Sequence, residues 1–292
     1  MYFQFSTFTG VAVAVGLLTG VQANAQSIGS LGLFGEGYLA WDQSKYYSSD
    51  DDDETLDGDG YSLGGVIGLN YNGFIAYIDA NKFDRDLADE TDDFDQEAPF
   101  GARSYGLHAG YDFALPQGNL YAGAFYGKNE FQGDDAASPN GYVDGDLYGI
   151  EAEYRFSNYS VFAQYGRADM VGDVGDTAFD GDFMRVGFNA NIDRFDFVMD
   201  YESGRSDDIF EDSGDWGEYR TFGVELDYQV TDRVSAYVAY TDMDFDANDE
   251  DFGTDQFVSL GVRVAFGEKG RRTNLTTTYM PGLAAAWAEN LD

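Results

Sequence analysis

The chain has 292 residues, with 54 Asp and Glu against 16 Lys and Arg, a net charge of −38, no Cys, 37 Gly, 4 Pro, 24 Phe, 22 Tyr and 3 Trp. That balance repels nucleic acid and anionic membrane surfaces, and a chain without Cys has no disulfide framework, thiolate metal site or thiol nucleophile. After residue 25 no apolar run of 20 residues occurs, which excludes a bundle of membrane helices, and the wealth of aromatics excludes a simple acidic disordered polymer.

The first element in the chain is an address. Val11–Leu18 is an apolar run too short to span a bilayer, and it leads to Ala23-Asn24-Ala25, the small-x-small pattern before signal-peptidase cleavage. The segment departs from the usual pattern in having no Lys or Arg before the apolar run. Cleavage before Gln26 divides the chain into a signal peptide over 1–25, a body over 26–266 and a tail over 267–292.

The body alternates apolar and polar residues with a period of two. This predicts strands near 31–41, 61–71, 74–83, 103–113, 119–130, 146–156, 159–169, 183–192, 194–204, 219–230, 234–243 and 256–266. Tyr159, Val161, Ala163 and Tyr165 alternate with Ser160, Phe162, Gln164 and Gly166; Met184 to Ile192 and Phe222 to Val230 repeat the pattern. Alternation suits a soluble sandwich with the apolar set inside, or a membrane barrel with that set toward lipid. The connections choose between them. Short links (Asn72-Gly73, Ala114 to Gly118, Ser157-Asn158, Asp193, Thr231 to Arg233) alternate with long ones near 42–60, 84–102, 131–145, 169–182, 205–219 and 242–255. Sorting of loop length by side, with an even strand count, predicts an all-β, antiparallel, up-and-down transmembrane β-barrel of about 12 strands.

Aromatic residues mark the ends of these strands. Tyr71, Phe74, Phe113, Phe156, Tyr159, Phe195, Tyr228 and Phe266 lie beside the short turns, as in an interfacial girdle. Trp41, Tyr61, Phe83, Tyr105, Phe183, Tyr201, Tyr219 and Tyr240 are expected to form the second girdle.

The layout resembles the Gram-negative outer-membrane porins, over about residues 27–266. Its most specific piece is the last strand, where Val258, Leu260, Val262, Val264 and Phe266 occupy every second place, similar to the signal read by the barrel-assembly machinery. The resemblance implies an exported protein of the Gram-negative outer membrane, with outer-membrane lipid around it, short periplasmic turns, long acidic extracellular loops and both termini periplasmic. Two features depart from the general porins, which usually have sixteen strands and a third loop folded into the lumen. Here about twelve strands are expected, and the third loop near 131–145 is of ordinary length. Phe266 is also not the last residue: Gly267 to Asp292 follow, with Lys269, Arg271 and Arg272 before an apolar stretch from Met280 to Leu291. A periplasmic extension, a short helix after Pro281 and a plug are all open to this tail, which is assigned here to the periplasm.

The inward phase holds the candidate pore-lining residues Glu36, Asp79, His108, Asp112, Glu151, Glu153, Arg155, Arg185, Asp200, Glu225, Asp227 and Arg263, with Asp196 and Glu202 beside them. Opposed acids and bases across a narrow pore set a transverse field, and an excess of acid favours cations. An Arg–carboxylate network that seals the barrel is the competing reading. Ten inward acids against three Arg argue for unpaired, water-bathed carboxylates and thus for a pore. Twelve inward glycines, among them Gly68, Gly106, Gly127 and Gly166, suit either an unfilled lumen or a wall curved beneath packed Tyr38, Tyr77 or Tyr237.

Catalysis is not expected. His108, the only His, is an inward wall residue, whereas outer-membrane phospholipases carry their Ser–His pair toward lipid and outer-membrane proteases work at the outer rim. No cofactor is expected beyond weak Ca²⁺ or Mg²⁺ at the acidic loops, where Asp57, Asp59, Asp244 and Asp246 are candidate oxygen ligands; a calcium loop begun at Asp244 fails, with Asp249 sixth and Gln256 twelfth. The six long connections carry 37 of the 54 acids, so the charge is one-sided and gathers cations before the pore. The expected function is passive diffusion of small hydrophilic solutes or ions, preferring cations; the alternative is a sealed structural or receptor barrel with divalent-cation-binding loops.

Overall fold

The computed structural model describes residues 31–48, 55–89, 98–133, 142–172, 177–206, 216–248, 250–267 and 274–289; the proposed signal peptide lies outside them. Twelve strands follow in order: β1 Leu31–Ser48, β2 Thr55–Tyr71, β3 Phe74–Asp89, β4 Ala98–Leu115, β5 Gly118–Gly133, β6 Tyr142–Phe156, β7 Tyr159–Gly172, β8 Thr177–Ile192, β9 Phe195–Ser206, β10 Gly217–Gln229, β11 Val234–Ala247 and β12 Glu250–Gly267. Each pairs antiparallel with its neighbours in sequence, and β1 pairs with β12 from Phe34↔Gly267 to Ser48↔Gly253, so the sheet closes. Closure matters in lipid, where each unpaired backbone group costs several kcal/mol. A helix, α1 Met280–Glu289, follows.

At the short-turn end the strands stop where the sequence puts them. Asn72 (φ 53°) and Gly73 (φ 87°) both adopt the left-handed conformation that a two-residue hairpin needs, and Ser157 and Asp193 take the same conformation in their turns. At the other end the strands run further than alternation indicates: β2 begins at Thr55 rather than near 61, and β3 continues to Asp89 rather than 83. Beyond the lipid an outward residue has water in front of it, so both faces are polar and alternation fades while pairing continues. The expected long connection over 242–255 is therefore a hairpin, with Ala247 opposite Glu250 and a register shift at Phe245/Asp246.

The outward face is apolar. Ile78 is 53% exposed, Leu107 55%, Ile150 65% and Leu260 61%, a belt that water would not tolerate and lipid covers. The short-turn girdle holds, with Tyr71, Phe74, Phe113, Tyr159, Phe195 and Tyr228 exposed. The second girdle needs correction. Phe83, Phe183 and Tyr219 are buried inside the barrel, because each shares the parity of an inward residue on its own strand, Asp79, Arg185 and Glu225. Tyr126, Tyr148 and Tyr165 stand outward with Trp41, Tyr105 and Tyr201 instead, and Tyr126 and Tyr165 donate to Asp146 and Asp182. Along β12, Val258, Leu260 and Val262 face lipid, and Phe266 lies against Gly35 across the closing seam, where any Cβ would overlap its ring.

The interior is filled. One apolar cluster toward the long-connection end contains Phe83, Phe131, Leu147, Met170, Phe179 and Tyr219; a second toward the turn end contains Phe34, Ile75, Tyr77, Tyr121, Phe162 and Val198. Leu275 joins the second and Met280, Leu283 and Ala284 join the first. The expected periplasmic tail is thus corrected. Residues 274–284 rise through the lumen from the turn end, as the short helix and the plug together. The amphipathic Asn274-Leu-Thr-Thr-Thr-Tyr run has both hydroxyls for lumen carboxylates and apolar groups for lumen rings, so the interior binds it better than water does.

Candidate functional site

All twelve candidate pore-lining residues point into the barrel, but the tail divides them into two sets. On the wall of β3 to β7, His108 is fully buried between two carboxylates. Its Nδ1 lies 2.9 Å from Glu151 Oε2 and its Nε2 2.9 Å from Asp79 Oδ2. Each ring nitrogen thus faces a carboxylate oxygen, the arrangement in which an imidazole with both nitrogens protonated donates to both. Its ring stacks on Tyr77 at 4.4 Å and 7°. Arg155 donates to Asp112 at 2.6 Å and lies 3.7 Å from Glu153.

The tail seals this set. Thr277 donates to Asp79 through its backbone N–H and its hydroxyl, each at 3.0 Å, while Asn274 donates to Glu153 at 3.1 Å. Tyr77 donates to the Leu275 carbonyl at 2.9 Å, and Thr278 donates to Glu202 at 2.9 Å. Gly106 and Gly127 form the seat, since a Cβ on Gly106 would overlap the Thr277 hydroxyl and one on Gly127 would press on its methyl. Other inward glycines are sockets for rings: Phe34 and Tyr77 over Gly68, Phe183 over Gly166, Phe162 over Gly187 and Tyr237 over Gly261. The glycines accommodate packing rather than an empty bore.

The premise that ten acids outnumber their partners also fails. Asp79, Glu151 and Glu202 are satisfied by His108, Tyr121, Gln164, Tyr219 and the tail, and the remainder by Arg or amide donors. Hydroxyl and amide donors account for the difference. Asp79, His108 and Glu153 therefore bond the tail, Glu151 braces His108 behind it, and Arg155 pairs with Asp112.

The second set borders open cavities. A cavity of about 260 Å³ runs between the tail and the wall of β9 to β12 and β1 to β3, bordered by Glu36, Arg185, Asp200, Glu225 and Arg263. Arg185 donates to Asp200 at 2.8 Å along its edge. A smaller cavity of about 150 Å³ opens among the turns at 193–196 and 231–235 and is bordered by Asp227, and Glu36 and Arg263 border both. Between the two, Arg263 Nη1 donates to Glu225 at 2.9 Å and Asp227 at 2.6 Å, and its Nε lies 3.9 Å from Glu36. Three carboxylates around one guanidinium leave this neck with an excess of two negative charges.

Two residues of this site lie in segments expected to be loops. Asp42 and Arg85 are inward and buried on β1 and β3. The parity of Ala40 and of Phe83 extends to them, which is the signal that identifies them. The candidate metal ligands do not assemble. Asp59 faces Asp86 across β2 and β3, Asp244 accepts from Thr254, and Asp246 lies 3.3 Å from Arg220; the Asp57 side chain is outside the described residues. Among the described residues no three His, Cys, Asp or Glu side chains gather around a common point.

The family model described as Gram-negative porin matches residues 83–248. No curated protein sequence matches. Among solved structures, the chain is similar in fold to a loop L8 deletion mutant of OmpT, an outer membrane protein of Vibrio cholerae, at 11% identity and TM-score 0.42, covering 82% of this chain and 100% of that one. It is also similar to the translocator domain of the autotransporter NalP from Neisseria meningitidis, at 13% identity and TM-score 0.45 over 89% and 98% of the two chains. An anion-selective porin from Comamonas acidovorans matches at 11% identity and TM-score 0.41 over 81% and 100%.

Proposed function

The chain belongs to the Gram-negative porin family and is an outer-membrane barrel, and from this premise we propose that it passes small hydrophilic solutes along one side of its lumen. The observation that carries this reading is the pair of cavities meeting at Arg263 and Glu36. The tail occupies the opposite side and sets the bore, so the conductance is small for a barrel of twelve strands. The two-charge excess at the neck and the acids concentrated toward the long-connection end favour cations. With short turns in the periplasm, that end faces outward. His108 has no exposed surface and offers no solute-facing group. Reconstitution in planar bilayers under a salt gradient tests the proposal: stepwise currents with a reversal potential on the cation side are expected, and unitary steps of anionic sign would refute the selectivity.

One observation favours a second reading. The carboxylates beneath the tail are paired with protein groups and the tail is fastened at five residues from Asn274 to Thr278, as in a sealed structural or receptor barrel. That reading predicts no conductance at all.

A further inference from the structure

The wider cavity contains buried polar atoms that the barrel leaves unused. Arg85 is only 4% exposed, yet its Nε and Nη1 have no hydrogen-bond partner among the described residues. Its guanidinium lies over the ring of Phe257 at 3.8 Å and over that of Phe83 at 4.7 Å. These rings hold the charge in place without using those N–H groups. Asp42, 1% exposed, accepts from Ser62 and Ser259 through Oδ1, and its Oδ2 has no partner. Arg85, Asp42, Phe83 and Phe257 all border the same cavity, as does Thr221, whose buried hydroxyl is also unpartnered. Register puts the two charges on one row: Asp42 faces Gly60 on β2, and Gly60 faces Arg85 on β3. Two strand spacings separate their backbones by about 10 Å, with no side chain between. Buried charged groups without partners are too costly to be idle, and each calls for water, an ion or a ligand.

We propose that this cavity is a binding subsite for small zwitterions of the α-amino-acid class, with the solute carboxylate accepting from an unused Arg85 N–H and its ammonium group on Asp42 Oδ2. Buried Asp255 and Asp42 both act on the Arg85 charge, but neither takes its Nε or Nη1 hydrogens; a solute carrying both charges a few ångströms apart supplies an acceptor there and a donor to Asp42 Oδ2. Phe83, Phe257 and Tyr279 offer apolar surface to a small side chain, and about 260 Å³ accommodates such a solute. The subsite rests on the channel reading, because the solute arrives through the lumen.

Titration calorimetry on the full refolded protein, with L-serine, lactate and ethanolamine as probes, tests the assignment. Serine is expected to bind at least tenfold more tightly than either single-charge probe. Arg85→Gln should weaken serine at least tenfold and leave ethanolamine unchanged. Asp42→Asn, which alters one atom and preserves shape, should bring serine down to the level of lactate. No heat with any probe means that water alone fills the site and overturns the proposal, as do equal affinities for all three probes or variants that bind serine like the parent. Conductance in KCl without serine reads the channel separately: currents without serine binding refute the subsite alone, and serine binding without currents refutes the channel alone.

Discussion

Replacement of His108 by Ala removes the bridge between two buried carboxylates. The side chains of His108, Asp79 and Glu151 have no exposed surface, and both ring nitrogens are 2.9 Å from a carboxylate oxygen. Breaking a buried ion pair by removing one partner typically costs about 3–5 kcal/mol, because the other charge stays behind. Here two carboxylates stay behind. Glu151 retains Tyr121 and Gln164 as donors, and Asp79 retains Thr277. The lost imidazole also leaves a void beside Tyr77 and Phe125, whose rings lie 4.4 and 5.8 Å from it. With these donors limiting the damage and the void adding to it, a loss of about 3–5 kcal/mol is expected. Reversible urea unfolding in lipid vesicles, followed by far-ultraviolet circular dichroism, measures it. Asp79→Asn on the His108→Ala background should recover about 1–2 kcal/mol, since it removes one unbalanced charge. A His108→Ala variant within about 0.5 kcal/mol of the parent would refute the buried network.

Truncation after residue 273 should raise unitary conductance by about two- to threefold, since a helix about 10 Å across leaves a lumen whose backbone radius is about 12 Å. Gly106→Val should raise it in the same direction without shortening the chain, by unseating Thr277; parental conductance would show that the seat does not hold the tail. Arg263→Ala should move the reversal potential further to the cation side, whereas Arg155→Ala, under the tail, should leave it within error. Equal shifts in a salt gradient would place the passage elsewhere. Substituting Gly35 by Val should slow barrel folding, measured by heat-modified gel mobility, because Phe266 must then leave the closing seam.

Much of this fold is legible in the sequence because lipid imposes a strict period of two. Asn72-Gly73 and Ser157-Asn158 end strands to the residue, and every candidate lumen side chain falls on its expected face. The same rule fails once lipid ends, where β2, β3 and β11 extend through water without apolar alternation. Arg85 and Asp42 went unrecognised there, although parity from Phe83 and Ala40 reaches them. Phe83, Phe183 and Tyr219 stand at strand ends as girdle residues do, and only their parity sends them inward. The pairing of Glu151 and Glu202 was missed because tyrosine, threonine and glutamine donors from strands far apart in sequence meet only in the closed barrel. The tail carried no periodic signal at all: its place follows from Thr277 and Thr278 finding Asp79 and Glu202, contacts separated by 198 and 76 residues.

Unitary current through the full-length protein in a planar bilayer, recorded under a tenfold KCl gradient, bears most directly on the lumen pathway. Small, stepwise, cation-selective currents that grow when residues 274–292 are removed are the predicted result. A full-length barrel that stays silent, with conductance in the truncated protein alone, would contradict an open path beside Arg263 and leave a plugged barrel in its place.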